Sequence, residues 1–168
     1  RQTVRDVNRL FEACQFGEAG RQIYDFFWGE FADWYIEAAK LQLRQGGDRA
    51  FYTTWTLVRV LDQCLRLLHP FTPFVTEELW GYLKGACQAR GDRLAPEDGW
   101  AEALIIAGWP RSKEEEEWEA GAVDSFSRLV MDHTRAFRAL KTAMGLPLKV
   151  KATGLVAAAP EMVATLKE

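Results

Sequence analysis

The sequence has few of the residues that metal sites and disulfide frameworks need. Its 168 residues include three cysteines and two histidines. Cys14, Cys64 and Cys87 are far apart, and no Cys-x-x-Cys pair occurs. We therefore predict no metal site and no disulfide, and this use of cysteine is typical of a reducing, cytoplasmic environment. No apolar run approaches the roughly 18 residues of a membrane span, and no signal-peptide pattern is found, so we expect no membrane partner.

The signatures of common catalytic sites are also missing. There is no G-x-G-x-x-G or Walker-type phosphate loop and no G-x-S-x-G elbow. The Ser, Cys and His positions show no spacing typical of a nucleophile and its base. His69 precedes Pro70 at a predicted helix end, where capping explains a histidine better than catalysis. We predict no catalytic residue in this chain.

The chain as a whole lacks an excess of positive charge. The formal net charge is −3 and the isoelectric point is about 5.5, whereas domains that bind nucleic acid are often basic. The charges are unevenly distributed, however. Five glutamates fall within residues 114–119, and six basic residues between 128 and 151 face one acidic residue, Asp132. The six are Arg128, Arg135, Arg138, Lys141, Lys149 and Lys151. This pattern favours either a local positive face or two ordinary solvated helix faces.

Apolar residues at helical spacing are abundant. They make up 48% of the chain, and they predict helices over residues 3–14, 18–44, 48–68 and about 73–85. The second helix carries two apolar stripes, so we expect it to be buried on two sides. Gly46 and Gly47 would end it, and Asp48 would cap the next helix. The sequence therefore predicts a mainly α fold, with an antiparallel helical bundle at residues 1–90.

A corner with two prolines joins the last two predicted helices. Pro70 should end the first helix by excluding the α region for His69. Thr72 can cap the next helix, and Pro73 suits its first position, where a missing N–H costs nothing. We expect this corner to reverse the chain within a few residues and make the two helices neighbours.

Residues 91–168 are predicted to form a separate, small α+β unit. A polar loop at residues 88–102 precedes the apolar segment ALIIAGWP, which we predict to be a strand. A long helix over residues 118–143 follows and is expected to pack on the bundle. The segment LKVKATGLVAA then predicts a second strand, and PEMVATLKE begins a last helix.

Two stretches, FGEAGRQIYDFFWGEFADWYIEAAK and LRLLHPFTPFVTEELW, resemble the anticodon-binding region of class I aminoacyl-tRNA synthetases. The second is similar to a segment that the valyl, isoleucyl and leucyl enzymes share. The first, with DWYIE at residues 33–37, is similar to the valyl-tRNA synthetase family in particular. So are the later GWP at residues 108–110, the helix with Arg135 and Arg138, and Pro147, in this order. The resemblance covers about residues 5–156.

This resemblance implies a partner and a role. The anticodon stem-loop of a tRNA would bind here, and a catalytic domain of the same polypeptide would use ATP and Mg²⁺ to join the amino acid to that tRNA. No cofactor is expected in this chain, since the catalytic signatures of the family are absent from it. The chain starts at Arg1 without a methionine and within a helical pattern, so we expect it to be a piece of a longer polypeptide.

The basic helix is the best candidate for the RNA contact. We predict that Arg135, Arg138, Lys141 and Arg128 bind tRNA by neutralising phosphates or stacking on a base. Trp34 and Tyr35 match the family pattern, but their spacing fits the apolar stripe, so we interpret them as structural.

Two alternatives remain open at this point. The chain could be the same domain of an isoleucyl- or leucyl-tRNA synthetase. It could also be a helical interaction module that binds no RNA, with its acidic segment as the partner surface. We expect no DNA partner in any of these cases.

Overall fold

The computed structural model describes residues 1–91, 93–112 and 131–147 of the chain. The chain divides into two compact units, residues 1–114 and 115–168, and each is described by itself. Several sequence predictions lie outside the described residues: the acidic run, Arg128, the strand predicted at residues 148–158 and the helix predicted from Pro160.

The first unit consists of helices, as the apolar spacing predicted. In chain order they are α1 (Gln2–Glu12), α2 (Phe16–Phe26), a π-helical segment (Phe27–Tyr35), α3 (Ile36–Gln45), α4 (Gly47–Leu68) and α5 (Pro73–Gln88), followed by a 3₁₀ turn (Leu104–Ile106). In the second unit, α6 (His133–Ala143) is described. Sequence neighbours pack as α1 on α2, α3 on α4 and α4 on α5. The predicted helical bundle is therefore confirmed, and the division at residue 90 stays a prediction.

The core of the first unit consists of two apolar clusters that share α4. One joins α1, α2 and α4 through residues such as Val7, Ile23 and Leu67. The other joins α4, α5 and the following loop through Leu65, Trp80 and Leu104. Leu65 and Leu67 are both almost fully buried. Since they belong to different clusters, α4 is the helix around which the unit is built.

The corner between α4 and α5 reverses the chain as predicted. Pro73 occupies the first turn of α5, and Thr72 precedes it as the N-cap residue. The Thr72 hydroxyl donates to the Leu68 carbonyl oxygen at 3.3 Å instead of capping α5. The expectation for His69 was wrong, because it keeps α-helical angles (φ −55°, ψ −40°) despite the following proline. A hydrogen bond of 2.8 Å between His69 Nδ1 and Thr76 Oγ1 holds it there.

The end of α3 was predicted correctly, but the cap of α4 was not. Gly46 has φ 71° and ψ −166°, and it ends α3 and also precedes α4 as its N-cap residue. Asp48 lies in the first turn of α4 and makes no side-chain capping bond. A glycine pair can turn the chain by its backbone alone, so the junction does not need a capping side chain.

The strand predicted at ALIIAGWP was wrong. Residues 104–106 form a 3₁₀ turn, and no strand occurs among the described residues. Two local backbone hydrogen bonds close this turn, and side chains, instead of a neighbouring strand, bind three further backbone groups. The Leu104 N–H donates to the Glu77 carboxylate at 2.8 Å. The Gly108 carbonyl accepts from Arg66 Nη1 at 2.8 Å, and the Pro110 carbonyl accepts from Asn8 Nδ2 at 3.1 Å.

A π-helical segment lies in the middle of the predicted second helix, and the spacing of apolar residues did not predict it. Its wider turn brings residues four to five apart into line. The rings of Phe27, Phe31 and Tyr35 follow one another there, with centroids 5.8 and 6.1 Å apart. The expectation that this helix is buried on two sides was wrong, because Tyr24, Trp28 and Leu41 are 59%, 52% and 64% exposed, whereas Phe31 is buried.

Candidate nucleic-acid interface

Helix α6 places three of the four predicted tRNA-binding residues on one side. Arg135, Arg138 and Lys141 follow one another at intervals of three residues, which puts neighbouring side chains within reach of each other. Arg135 and Arg138 are exposed, and Lys141 is half-buried. Arg128 lies outside the described residues. The structure thus forms a basic face on α6, while binding of tRNA by this face stays a prediction.

Within the described residues 131–147, one carboxylate lies close to the basic face. Asp132 is the single acidic residue in the described stretch 131–147. Its carboxylate lies 3.4 Å from Arg135 Nη1, and both side chains are 59% exposed. An exposed pair of this kind contributes little and exchanges readily for another anion. Next to the basic face, α6 exposes Phe137, Leu140 and Met144.

A second group of charges, which sequence reasoning missed, joins α4 to the loop that follows α5: Arg66 and Asp62 are buried, and the side chain of Asp98 is 52% exposed. Arg66 Nε donates to Asp62 Oδ1 at 3.0 Å, and Arg66 Nη1 donates to Asp98 Oδ2 at 2.7 Å. Trp80 Nε1 donates to the same Asp62 oxygen at 2.8 Å. These groups border a polar cleft of about 160 Å³. Its lining includes three arginines (Arg59, Arg66, Arg111) and three carboxylates (Asp62, Glu97, Asp98), so the cleft has no excess charge to attract an anion.

The charges of this group shift each other's protonation. Burial lowers the pKa of Arg66, but hydrogen bonds and charges from Asp98 and Asp62 outweigh it and leave the pKa above its ordinary value. Burial likewise raises the pKa of Asp98, but Arg66 outweighs it and leaves that pKa below its ordinary value. Both groups are thus held in their charged forms. Their role is to fasten the loop to the bundle.

Helix α4 exposes several aromatic side chains. Phe51 and Trp55 belong to the apolar spacing that predicted this helix from the sequence, but Trp55 is 38% exposed and Phe51 is similarly accessible. The neighbouring Tyr52 is 65% exposed. Periodicity identified the helix correctly, but it could not tell which part of the stripe another element covers.

Trp34 and Tyr35, which match the family pattern, lie in the π-helical segment and are half-buried. Tyr35 stacks on the buried Phe31, with an angle of 20° between the ring planes. This contact agrees with a structural role for Tyr35, and the role of Trp34 stays a prediction.

Residues 1–91, 93–112 and 131–147 contain neither a cluster of metal ligands nor a membrane-spanning helix. In that part of the chain, no three His, Cys, Asp or Glu side chains come together as a metal ion would require. No helix in the same stretches has the length and apolar character to cross a membrane.

Comparison with known proteins agrees with the resemblance. A family model described as the anticodon-binding domain of tRNA ligase matches residues 1–156. A valine–tRNA ligase of Bacillus thuringiensis subsp. konkukian is 37% identical over 164 residues, which are 96% of this chain and 17% of that protein. Those of Anoxybacillus flavithermus and Geobacillus kaustophilus are each 39% identical, over 99% and 87% of this chain and 17% and 15% of theirs. The chain therefore spans about a sixth of the length of these relatives. It belongs to the family of anticodon-binding domains of tRNA ligases.

Proposed function

We propose that this chain is the anticodon-binding part of a valine–tRNA ligase and that the basic face of α6 binds the anticodon stem-loop. The observation that carries the proposal is the alignment of Arg135, Arg138 and Lys141 along one helix. The family supplies the class of ligand. A local basic face explains how a chain of net charge −3 can approach RNA.

This contact would serve to recognise the RNA. Bases of a single-stranded loop can be splayed out and read by stacking and by hydrogen bonds to their edges, while basic side chains hold the phosphates. Arginine suits the phosphates because its planar guanidinium can donate two parallel hydrogen bonds. The helical bundle contributes a fixed scaffold for the first unit, since its core and buried ion pairs leave few ways to deform it.

The chemical steps would take place elsewhere in a longer protein. A catalytic domain of the same polypeptide would use ATP and Mg²⁺ to join valine to the tRNA, as the names of the relatives suggest. This chain has no phosphate-binding loop in its sequence, so we assign it neither ATP nor Mg²⁺. Its place of action would be the cytoplasm, where aminoacylated tRNA is consumed.

Binding of a fluorescein-labelled RNA hairpin with a valine anticodon loop tests the proposal. Each phosphate neutralised on a single strand contributes about −0.7 to the slope of log K against log salt. Three contacts from α6 therefore predict a slope of about −2 for the unaltered chain. The triple variant Arg135→Gln, Arg138→Gln, Lys141→Gln should lose most of the affinity and most of the slope.

A matched variant separates this site from the loss of charge in general. Arg5→Gln, Arg9→Gln, Arg21→Gln removes the same charge from exposed positions on α1 and α2, and its affinity should stay within about two-fold of the original. If both triple variants lose affinity equally, the assignment to α6 is wrong. If the unaltered chain does not bind the hairpin even at low salt, the proposed function fails.

A second hairpin tests the amino-acid assignment. Valine and isoleucine anticodons such as GAC and GAU differ in one base, so their hairpins have the same charge and the same stem. A valine-specific domain should bind the GAC loop more tightly at every salt concentration. Preference for the GAU loop would instead support the isoleucyl alternative.

A further inference from the structure

We infer that Arg49, Tyr52, Trp55 and Arg59 of α4 form a stacking surface for unpaired bases of the same RNA. This inference rests on the proposed function and adds a second contact to it. The four residues follow one another at intervals of three and four, so they lie along one side of α4. Basic and aromatic side chains thus alternate on this side, which is the composition of surfaces that bind single-stranded nucleic acid.

The aromatic side chains are exposed and held in place. Tyr52 is 65% exposed and Trp55 is 38% exposed. Their backbone positions differ by about 4.5 Å along the helix axis, so two successive bases of an unpaired strand can each meet one ring. The guanidinium carbon of Arg59 lies 5.6 Å from the centre of the Trp55 ring. Arg59 also forms a 2.6 Å ion pair with Glu97, so it orients the Trp55 ring from a fixed position.

Positive charge lies at the start of this surface. Arg44 and Arg49 flank the Gly46–Gly47 turn and are exposed, and Asp48 is the one acidic residue between them. A phosphate next to a base stacked on Tyr52 would therefore meet net positive charge. Glu97 sits at the other end of the surface, where its pairing with Arg59 makes Arg59 a poor phosphate ligand.

An RNA strand fits this surface better than a protein partner. Its exposed side chains are tyrosine, tryptophan, threonine and arginine, which combine flat rings with polar groups. Helix α5 offers a contrast, since it exposes Phe74, Val75 and Leu79. Phe74 and Tyr82 are aromatic rings on α5, but residues 73–83 contain Glu77 and Glu78 and no basic side chain, so a phosphate beside a stacked base would meet negative charge there. The surface on α4 is thus the one whose chemistry matches nucleotides.

Substitutions of Tyr52 test the inference in the anticodon-hairpin binding assay. Tyr52→Ala should weaken binding about ten-fold, because it removes one stacked base contact. Tyr52→Phe keeps the ring and should bind within about two-fold of the original. Tyr52→Leu keeps apolar area without a flat ring and should resemble Tyr52→Ala. Tyr82→Ala is the control, because Tyr82 is similarly exposed (69%) but lies on α5.

Abasic nucleotides in the loop identify the base that stacks. At the contacted loop position, loss of the base should weaken binding by the unaltered chain about ten-fold and by Tyr52→Ala less than two-fold. If Tyr52→Ala binds normally while the α6 triple variant does not, the stacking surface is wrong and the proposed function stands. Equal losses in Tyr52→Ala and Tyr82→Ala would also overturn the surface. If the unaltered chain binds no hairpin, both proposals fail together.

Discussion

Arg66 connects parts of the chain that are far apart in sequence. Its guanidinium reaches Asp62 one turn earlier, Asp98 in the loop and the Gly108 carbonyl. Arg66 and Asp62 are both nearly buried, with 6% and 3% of their surfaces exposed. A buried pair is costly to break, because the remaining charge keeps its desolvation penalty and loses its partner. Arg66 is therefore a fastening residue on which the loop depends.

Replacing Arg66 should destabilise the first unit strongly. We expect Arg66→Ala to lower the free energy of unfolding by about 3–5 kcal/mol, since it leaves Asp62 buried and without its ion-pair partner. Urea unfolding followed by circular dichroism measures this change. Arg21→Ala is the control, because Arg21 also pairs with two carboxylates, Glu18 and Asp25, but on the surface. Its loss should be below about 1 kcal/mol, and equal losses for the two variants would contradict the argument.

Asp98 should make stability depend on acid pH. Its pKa in the folded chain lies below the ordinary value of 3.8, with Arg66 as the favourable partner that outweighs burial. A carboxyl group with a depressed pKa stabilises the fold above its unfolded pKa, and this contribution is lost as pH falls through the folded pKa. Asp98→Asn should therefore be less stable at pH 7 and should lose less stability from pH 6 to pH 3 than the unaltered chain.

Urea unfolding midpoints at each pH measure this difference. Asp33→Asn removes the same formal charge from an exposed position of the π-helical segment. It should leave the acid dependence of the unaltered chain in place. A parallel dependence for Asp98→Asn and the unaltered chain would show that the Asp98 carboxylate is not the group concerned.

Single residues were predicted unevenly from the sequence, for physical reasons. Pro73 was placed correctly at the start of α5, because the local geometry of proline determines where it fits. Two of the three partners of Arg66, Asp98 and Gly108, lie 32 and 42 residues away, and a pattern of near neighbours carries no information about them. The exposure of Trp55 depends likewise on which element lies opposite it. Long-range packing decides both, and periodicity does not report it.

At the scale of elements, alanine substitutions at Gly46 and Gly81 should have opposite effects on stability. Gly46 has φ 71° and ψ −166°, a region that is essentially restricted to glycine. We expect Gly46→Ala to cost about 1–3 kcal/mol. Gly81 lies within α5, and a Cβ placed there meets nothing within 4 Å. Gly81→Ala should stabilise by about 0.5–1 kcal/mol, since alanine loses less conformational freedom in a helix.

Thermal unfolding of the two glycine variants tests this difference in sign. The midpoint should fall for Gly46→Ala and rise for Gly81→Ala. Both substitutions add the same methyl group in open space, so the backbone angles are the main difference between them. A rise for both variants would mean that the turn at Gly46 relaxes to angles that alanine accepts.

The elements themselves were largely predictable, and the exceptions have a common cause. Long apolar stripes predicted the α2–α3 region and α4, because burial of one helix face repeats every three to four residues. The segment at residues 103–110 has the apolar, β-capable composition of a strand, yet Glu77, Arg66 and Asn8 satisfy its backbone groups. The π-helical turn at Phe27–Tyr35 likewise depends on ring packing. In both segments, contacts with residues elsewhere in the sequence determine the backbone conformation.

For the whole molecule, the net charge does not report where the positive and negative residues lie along the chain. The net charge of −3 argued against a nucleic-acid partner, but the described part of the second unit has three basic residues on one helix beside a single acidic residue. Composition could therefore not predict the candidate interface. The order of the residues did predict this candidate interface, because positive and negative residues lie in separate segments of the sequence. The helical fold was predictable from the sequence, whereas the exposed aromatic side of α4 required the structure.

Cysteine accessibility provides a test of cooperativity in the first unit. Cys14 is exposed, whereas Cys64 and Cys87 are buried. Burial raises the pKa of the Cys64 thiol to about 12, so this thiol reacts only after the structure opens. Cys64 lies beside Val4, Ile23 and Leu67 of the first core cluster, and Cys87 lies at the far end of α5, the helix that supplies Trp80 to the second cluster. Labelling of these two thiols therefore reports on opening at two places.

We expect the two buried thiols to share one opening free energy, because α4 supplies Leu67 to the first cluster and Leu65 to the second. Under native conditions one thiol per chain should react quickly with a disulfide reagent, and the other two should react slowly and at similar rates. Leu67→Ala should cost about 2–5 kcal/mol and accelerate both slow thiols by the same factor, as should Leu65→Ala. Mass spectrometry of labelled peptides distinguishes the two sites. If Leu67→Ala accelerated Cys64 alone, the clusters would open separately and α4 would not couple them.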